Sequence, residues 1–100
     1  MTRVDFARVN QAALGVLPDL CARWLPQGQR RGTEWISLNP RRADRAAGSF
    51  KINLQTGRWA DFALPRHEAA GGDAISLFAY LYDLSQREAA RGLGRLLGVL

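Results

Sequence analysis

Two runs of strict alternation, broken once by a short turn, constrain this chain more than any other feature. Phe50, Ile52 and Leu54 alternate with Ser49, Lys51 and Asn53, and after Gln55-Thr56-Gly57 the chain resumes at Arg58 to Phe62. In the second run Trp59 and Asp61 share one face, and Ala60 and Phe62 the other. A period of two is the pattern of half-buried antiparallel strands. Gly57 supplies the left-handed backbone that a short hairpin loop requires. An isolated hairpin is marginal in water, so the rest of the chain has to supply further strands and a cover. Thr33 to Leu38 supplies a strand, with Trp35 and Ser37 on one face and Ile36 and Leu38 on the other.

The cover is helical. From about Asp5 to Leu25, the residues Phe6, Val9, Ala13, Leu14, Leu17, Leu20, Cys21, Trp24 and Leu25 recur at the three- and four-residue spacing of one apolar stripe. Pro18 lies inside that stretch, which predicts a kink or a new helix with Pro18 in its first turn. After the breaker Gly71-Gly72, Asp73 is an N-cap for a helix reaching about Tyr82. Ser85 and Glu88 then form a capping box for a last helix through Leu97, with Ala89, Leu93, Leu96 and Leu97 inward and Gly98 as the stop. The expected fold is one α+β domain over residues 1–100. It is a small antiparallel sheet flanked by an N-terminal helix and two C-terminal helices.

Charge narrows the function. The chain carries a net +5 and a pI of about 10.7. Nine basic and three acidic residues fall between Arg23 and Arg66, giving that segment +6. A basic middle attracts polyanions. Arg41, Arg42 and Arg45 crowd the loop after Asn39-Pro40, and Arg30 and Arg31 precede the first strand. Lys51, Trp59 and also Trp35 are expected on the face opposite Phe50 and Ile52, where rings stack on bases while cations follow the phosphates.

Enzyme readings are thinner. His67 is the one histidine, in a loop without a nucleophile pattern. Asp44, Asp61 and Asp73 make a metal site only if they converge, and Asp73 is already explained by capping and Asp61 by an outer strand face. Helix N-termini attract phosphate, yet Asp73 occupies the amides behind Gly71-Gly72. Cys21, the one cysteine, reads as a small core residue, and with His67 it cannot complete a structural zinc site. No disulfide is expected, and no apolar run approaches a membrane span. The expected location is cytoplasmic.

The run Asn39-Pro40-Arg41-Arg42-Ala43-Asp44-Arg45-Ala46-Ala47-Gly48-Ser49-Phe50, the hairpin after it, and Gly72-Asp73-Ala74-Ile75-Ser76 resemble the N-terminal zinc-ribbon domain of DNA primases. The likeness is closest to the divergent form at the head of primase-helicases of mobile elements. It spans Leu17 to about Val99. Asn39 stands where the family has its first Cys and Arg42 where it has its His, and the family's Cys-x-x-Cys falls on Ala60-Asp61-Phe62-Ala63. The resemblance therefore implies a metal-free ribbon without cofactor, in which Phe62, Phe50 and Trp24 replace the metal by packing and Asn39 bridges the vacated knuckle. It implies an accessory, non-catalytic domain that holds single-stranded DNA for a catalytic primase or helicase domain of the same or a partner chain. One hundred residues cannot hold that catalytic domain, so the chain reads as an N-terminal fragment or a free-standing relative. Arg41, Arg42, Arg45, Lys51, Arg58, Arg30 and Arg31 would meet phosphates, and Trp59 and Trp35 bases. Two rivals stay open. A protein-docking module would expose an apolar patch around Leu93, Leu97 and Leu100, and a metal-dependent nuclease would bring Asp44, Asp61 and Asp73 together.

Overall fold

A computed structural model describes residues 4–41, 49–64 and 69–99. Its helices are α1 (Phe6–Leu14), α2 (Leu17–Trp24), α3 (Ala74–Tyr82) and α4 (Gln86–Leu97). Its strands are β1 (Gln29–Arg31), β2 (Glu34–Ser37), β3 (Phe50–Asn53), β4 (Trp59–Asp61) and β5 (Ala70–Gly71). The strands form one antiparallel sheet in chain order, β1-β2-β3-β4-β5. The α+β class, the sheet and the two C-terminal helices agree with the expectation from sequence. The N-terminal apolar stripe is two helices, because Pro18 opens α2 within its first two positions, where a missing amide costs nothing.

Caps fix the other helix starts. Asp5 accepts from the Arg8 amide at 3.1 Å. Asp73 accepts from Ser76 N at 2.8 Å, and Ser85 and Glu88 close a reciprocal box at 2.9 and 3.0 Å. Gly98 ends α4 in the left-handed region. Asn10 of α1 then ties the layers together: its amide nitrogen donates to Asp73 Oδ2 and its oxygen accepts from Ile75 N, both at 3.1 Å.

The register decides which sheet face is buried, and it corrects the expectation. Ile52 lies between Trp35 and Trp59, and Phe50 between Ser37 and Asp61. These six side chains share the face beneath the helices, with Trp35 9%, Trp59 5%, Phe50 0% and Asp61 1% exposed. The two Trp rings are thus core, not outward platforms. Both of these indoles also find an acceptor: Trp59 Nε1 donates to Ser76 Oγ at 2.9 Å and Trp35 Nε1 to Leu25 O at 3.2 Å. Phe50, Trp59 and Tyr80 cluster with ring centroids 5.0 to 6.0 Å apart, and Trp24 stacks on Phe78 at 5.1 Å.

Phe62, expected to pack inward with Phe50 and Trp24, is instead 60% exposed. It follows Asp61 on the chain, so turning Asp61 inward turns Phe62 out. Phe6, Leu14 and Leu96, also expected on inner stripes, are 40%, 37% and 46% exposed, at the margins of their helices. Arg30 and Arg31 belong to edge strand β1 rather than to a loop.

Candidate functional site

Helix α1 packs against α3 and α4, and α3 lies against the Phe50 and Trp59 face of the sheet; the opposite face carries Glu34, Ile36, Lys51, Asn53, Ala60 and Ala70. Across it run rows set by the register. Arg31, Glu34 and Asn53 are successive cross-strand neighbours, and Asn53 N donates to Arg58 O at 2.7 Å to extend that row. The next row is Gln29, Ile36, Lys51, Ala60 and Ala70. An open groove of about 660 Å³ lies over this face, lined among others by Glu34, Lys51, Asn53, Arg58, Phe62 and Gly72.

Several side chains in the groove have no partner among the described residues other than each other. Lys51 Nζ sits over the Phe62 ring at 5.6 Å from its centroid, a cation–π geometry. The Arg58 guanidinium, the Glu34 carboxylate and the Asn53 amide nitrogen make no side-chain hydrogen bond or ion pair among the described residues. Asn53 Oδ1 is engaged: it accepts from Gln55 N and Thr56 N at 2.9 and 3.1 Å, building the hairpin turn. Its orientation is therefore fixed by the turn.

Among the described residues, the basic side chains expected at the site are not one cluster. Lys51 and Arg58 line the groove, while Arg30 and Arg31 are exposed on β1, with Arg30 Nε donating to Gly32 O at 3.1 Å. Arg41 turns elsewhere. Its Nη1 donates to Tyr80 O at 3.0 Å, pairs with Asp83 at 3.4 Å, and its guanidinium carbon lies 5.4 Å from the Tyr80 ring centre. A cation on the last carbonyls of α3 complements the negative end of the helix dipole. Arg42 and Arg45 lie outside the described residues, as do Asp44 and His67.

A second polar cluster is internal. Asn39, 1% exposed, donates from Nδ2 to Asp61 Oδ2 at 2.9 Å and to Tyr80 Oη at 2.7 Å, and its Oδ1 accepts from Arg41 N at 2.9 Å. Asp61 also accepts from Ala63 N at 3.0 Å. Asp61 is thus an internal anchor, not an outer-face residue. These positions present amide, carboxylate and phenol groups, without a thiolate or imidazole for zinc. Cys21 is far from that role: it is fully buried among apolar side chains, and burial pushes its thiol up to about 12. Among the described residues no three His, Cys, Asp or Glu side chains gather to hold a metal ion. Asp73 is bound into its cap and to Asn10, and Asp61 to Asn39.

The patch expected of a docking module does not form as drawn. Leu93 is 0% exposed, Leu97 is half-buried, and Leu100 lies outside the described residues. No helix among the described residues is long and apolar enough to cross a membrane.

Phe62, Asn53 and Glu34 are the groove residues that sequence reasoning passed over. The signal for Phe62 was its alternation with Asp61, which is legible only once the hairpin register is known. Comparisons with protein-family models, curated proteins and solved structures return no match.

Proposed function

We propose that this chain is a nucleic-acid-binding accessory domain that engages single-stranded DNA for a primase or primase-helicase, with no catalytic role of its own. The observation that carries the reading is the sheet face that no described helix covers, where a cation and an exposed ring, Lys51 and Phe62, stand together in an open groove beside Arg58. Single strands are held by this combination: rings take the base faces and cations the phosphates. Arg31, opposite Glu34 on the same face, extends the positive potential toward the β1 edge. Phe62 takes the stacking role expected of Trp59 and Trp35. The resemblance to primase zinc ribbons supports the same reading. In that resemblance Asn39 stands at the first metal-ligand position, and its amide is bonded to Asp61 and Tyr80.

The test is fluorescence anisotropy of an end-labelled oligothymidylate across a salt series. An external label is preferable because all three Trp are buried. Binding that weakens steeply with salt is expected. Lys51→Ala with Arg58→Ala should weaken binding alike on all sequences and flatten the salt slope by about one to two units. Phe62→Ala should cost about 1 to 3 kcal/mol and leave the slope unchanged. Wild-type affinity in both variants would refute the assignment of this face.

A further inference from the structure

A carboxylate is out of place in a groove that serves only to hold phosphate. Glu34 lines the groove with Lys51 and Arg58, half-buried, and its negative charge opposes any passing backbone. Arg31 stands opposite it across β1 and β2, yet no ion pair forms between them, and no other partner among the described residues engages the carboxylate. Its neighbour on the other side is Asn53. Because Asn53 Oδ1 is held by the Gln55 and Thr56 amides, the group that Asn53 has left to offer is its NH2 donor. The row therefore presents an acceptor-only group directly beside a free donor.

From this juxtaposition we infer that Glu34 and Asn53 make the groove selective for guanine within a single strand, an inference that rests on the nucleic-acid reading above. Unpaired bases are read on their Watson–Crick edges. Guanine alone presents two adjacent donors there, N1–H and the N2 amine, which suit the two oxygens of one carboxylate. Its neighbouring O6 is an acceptor for the Asn53 NH2. Adenine and cytosine each present one amine beside an acceptor, and thymine a single N–H between two acceptors. Guanine uses both Glu34 oxygens and the Asn53 donor. Phe62 and Lys51, farther along the same face, hold the neighbouring base and phosphate.

The experiment compares three labelled oligonucleotides by anisotropy at one low salt concentration: an oligothymidylate, the same strand with one central guanine, and that strand with inosine for guanine. The guanine strand should bind roughly tenfold more tightly than oligothymidylate, the scale of one bidentate base contact. Inosine, which lacks the N2 amine, should lose most of that gain. Glu34→Gln should abolish the preference while oligothymidylate binding stays equal or tightens, because a negative charge leaves a cationic groove. Asn53→Asp keeps the turn-forming oxygen, removes the donor, and should also reduce the preference. If all three strands bind equally to the wild-type protein, the guanine inference is overturned and the single-strand reading survives. A guanine preference that persists in Glu34→Gln also overturns it. If no strand binds, both readings fall together.

Discussion

Replacing Asn39 with Ala should destabilise this protein by about 3 kcal/mol, and most of that loss arises at Asp61 rather than at Asn39. The amide donates to a carboxylate oxygen at 2.9 Å in a position where Asn39 and Asp61 are each 1% exposed. Withdrawing a hydrogen bond from a buried charged acceptor costs about 1.5 to 3 kcal/mol. The bond to Tyr80 Oη adds about 1 kcal/mol, reduced because Tyr80 is half-buried and water can reach its hydroxyl. The bond from Arg41 N adds little, since Arg41 is exposed and solvent replaces Asn39 Oδ1. Against a total stability of about 5 to 15 kcal/mol for a domain of this size, the loss is large. With a urea dependence of about 1.5 kcal/mol per molar it lowers the midpoint by about 2 M. Asn39→Asp is the sharper probe. It is nearly isosteric but sets a second carboxylate against Asp61, and like charges in one buried site disfavour joint ionisation. One carboxyl of the new pair then has a raised pKa in the folded state, so the stability of Asn39→Asp increases as pH falls through that value. Urea denaturation of both variants at pH 7 and pH 5 reads these effects. A loss below about 1 kcal/mol in Asn39→Ala, or an Asn39→Asp variant indifferent to pH, would show that the cluster does not anchor the β2 exit and the reasoning is wrong.

Other consequences can be measured independently. Gly71→Ala puts a methyl against Ser76 Oγ and the Trp59 indole, breaking the bond that satisfies the buried ring; the cost should be about 1 to 3 kcal/mol, seen as a lower thermal midpoint. Cys21 should resist thiol reagents at pH 8 in the folded protein and react at a rate that follows opening as urea is added. Its thiol is pushed up to about 12 in the fold, so its contribution to stability is complete below the unfolded pKa of about 8.5 and is lost progressively as pH rises above it. Ser85→Ala removes the α4 cap and should cost about 1 kcal/mol. Glu88, held below the usual carboxylate range by the Ser85 amide and hydroxyl, contributes stability above its unfolded pKa that is lost as pH falls through its folded one. Its titration followed by NMR should move upward in Ser85→Ala.

The helices were legible because their signals are local. Pro18, Asp73, the Ser85 and Glu88 pair and Gly98 each act within one turn of chain, and each stands where its chemistry placed it. The faces of the sheet were not legible, for a reason that one hairpin contains. A loop of Gln55, Thr56 and Gly57 alone would pair Leu54 with Arg58 and set Phe62 beside Phe50. In the structure the Asn53 oxygen gathers the turn amides, Asn53 pairs with Arg58, and the loop includes Leu54. A slip of one residue turns every side chain of the return strand over. Trp59 and Asp61 went inside and Phe62 came out, so the expected and observed stacking residues exchanged places. No propensity distinguishes Trp59 from Phe62 here. The partners that do, Ser76 for the indole and Asn39 for the carboxylate, lie 17 and 22 positions away in sequence. Glu34 escaped notice because only the observed register sets it beside Asn53.

The chain-order sheet and the Asn10 clamp impose a timetable on synthesis. Each strand pairs with the one made just before it, so the meander can assemble as it emerges from the ribosome, at the low cost of closing short loops. The first helix has the opposite fate. It packs chiefly against α3 and α4, and the carboxylate and amide that Asn10 grips belong to residues 63 and 65 positions later. Of these elements it leaves the tunnel before the others and finds its place last. Until then Val9 and Ala13, fully covered in the finished domain, remain open to chaperones and to neighbouring nascent chains.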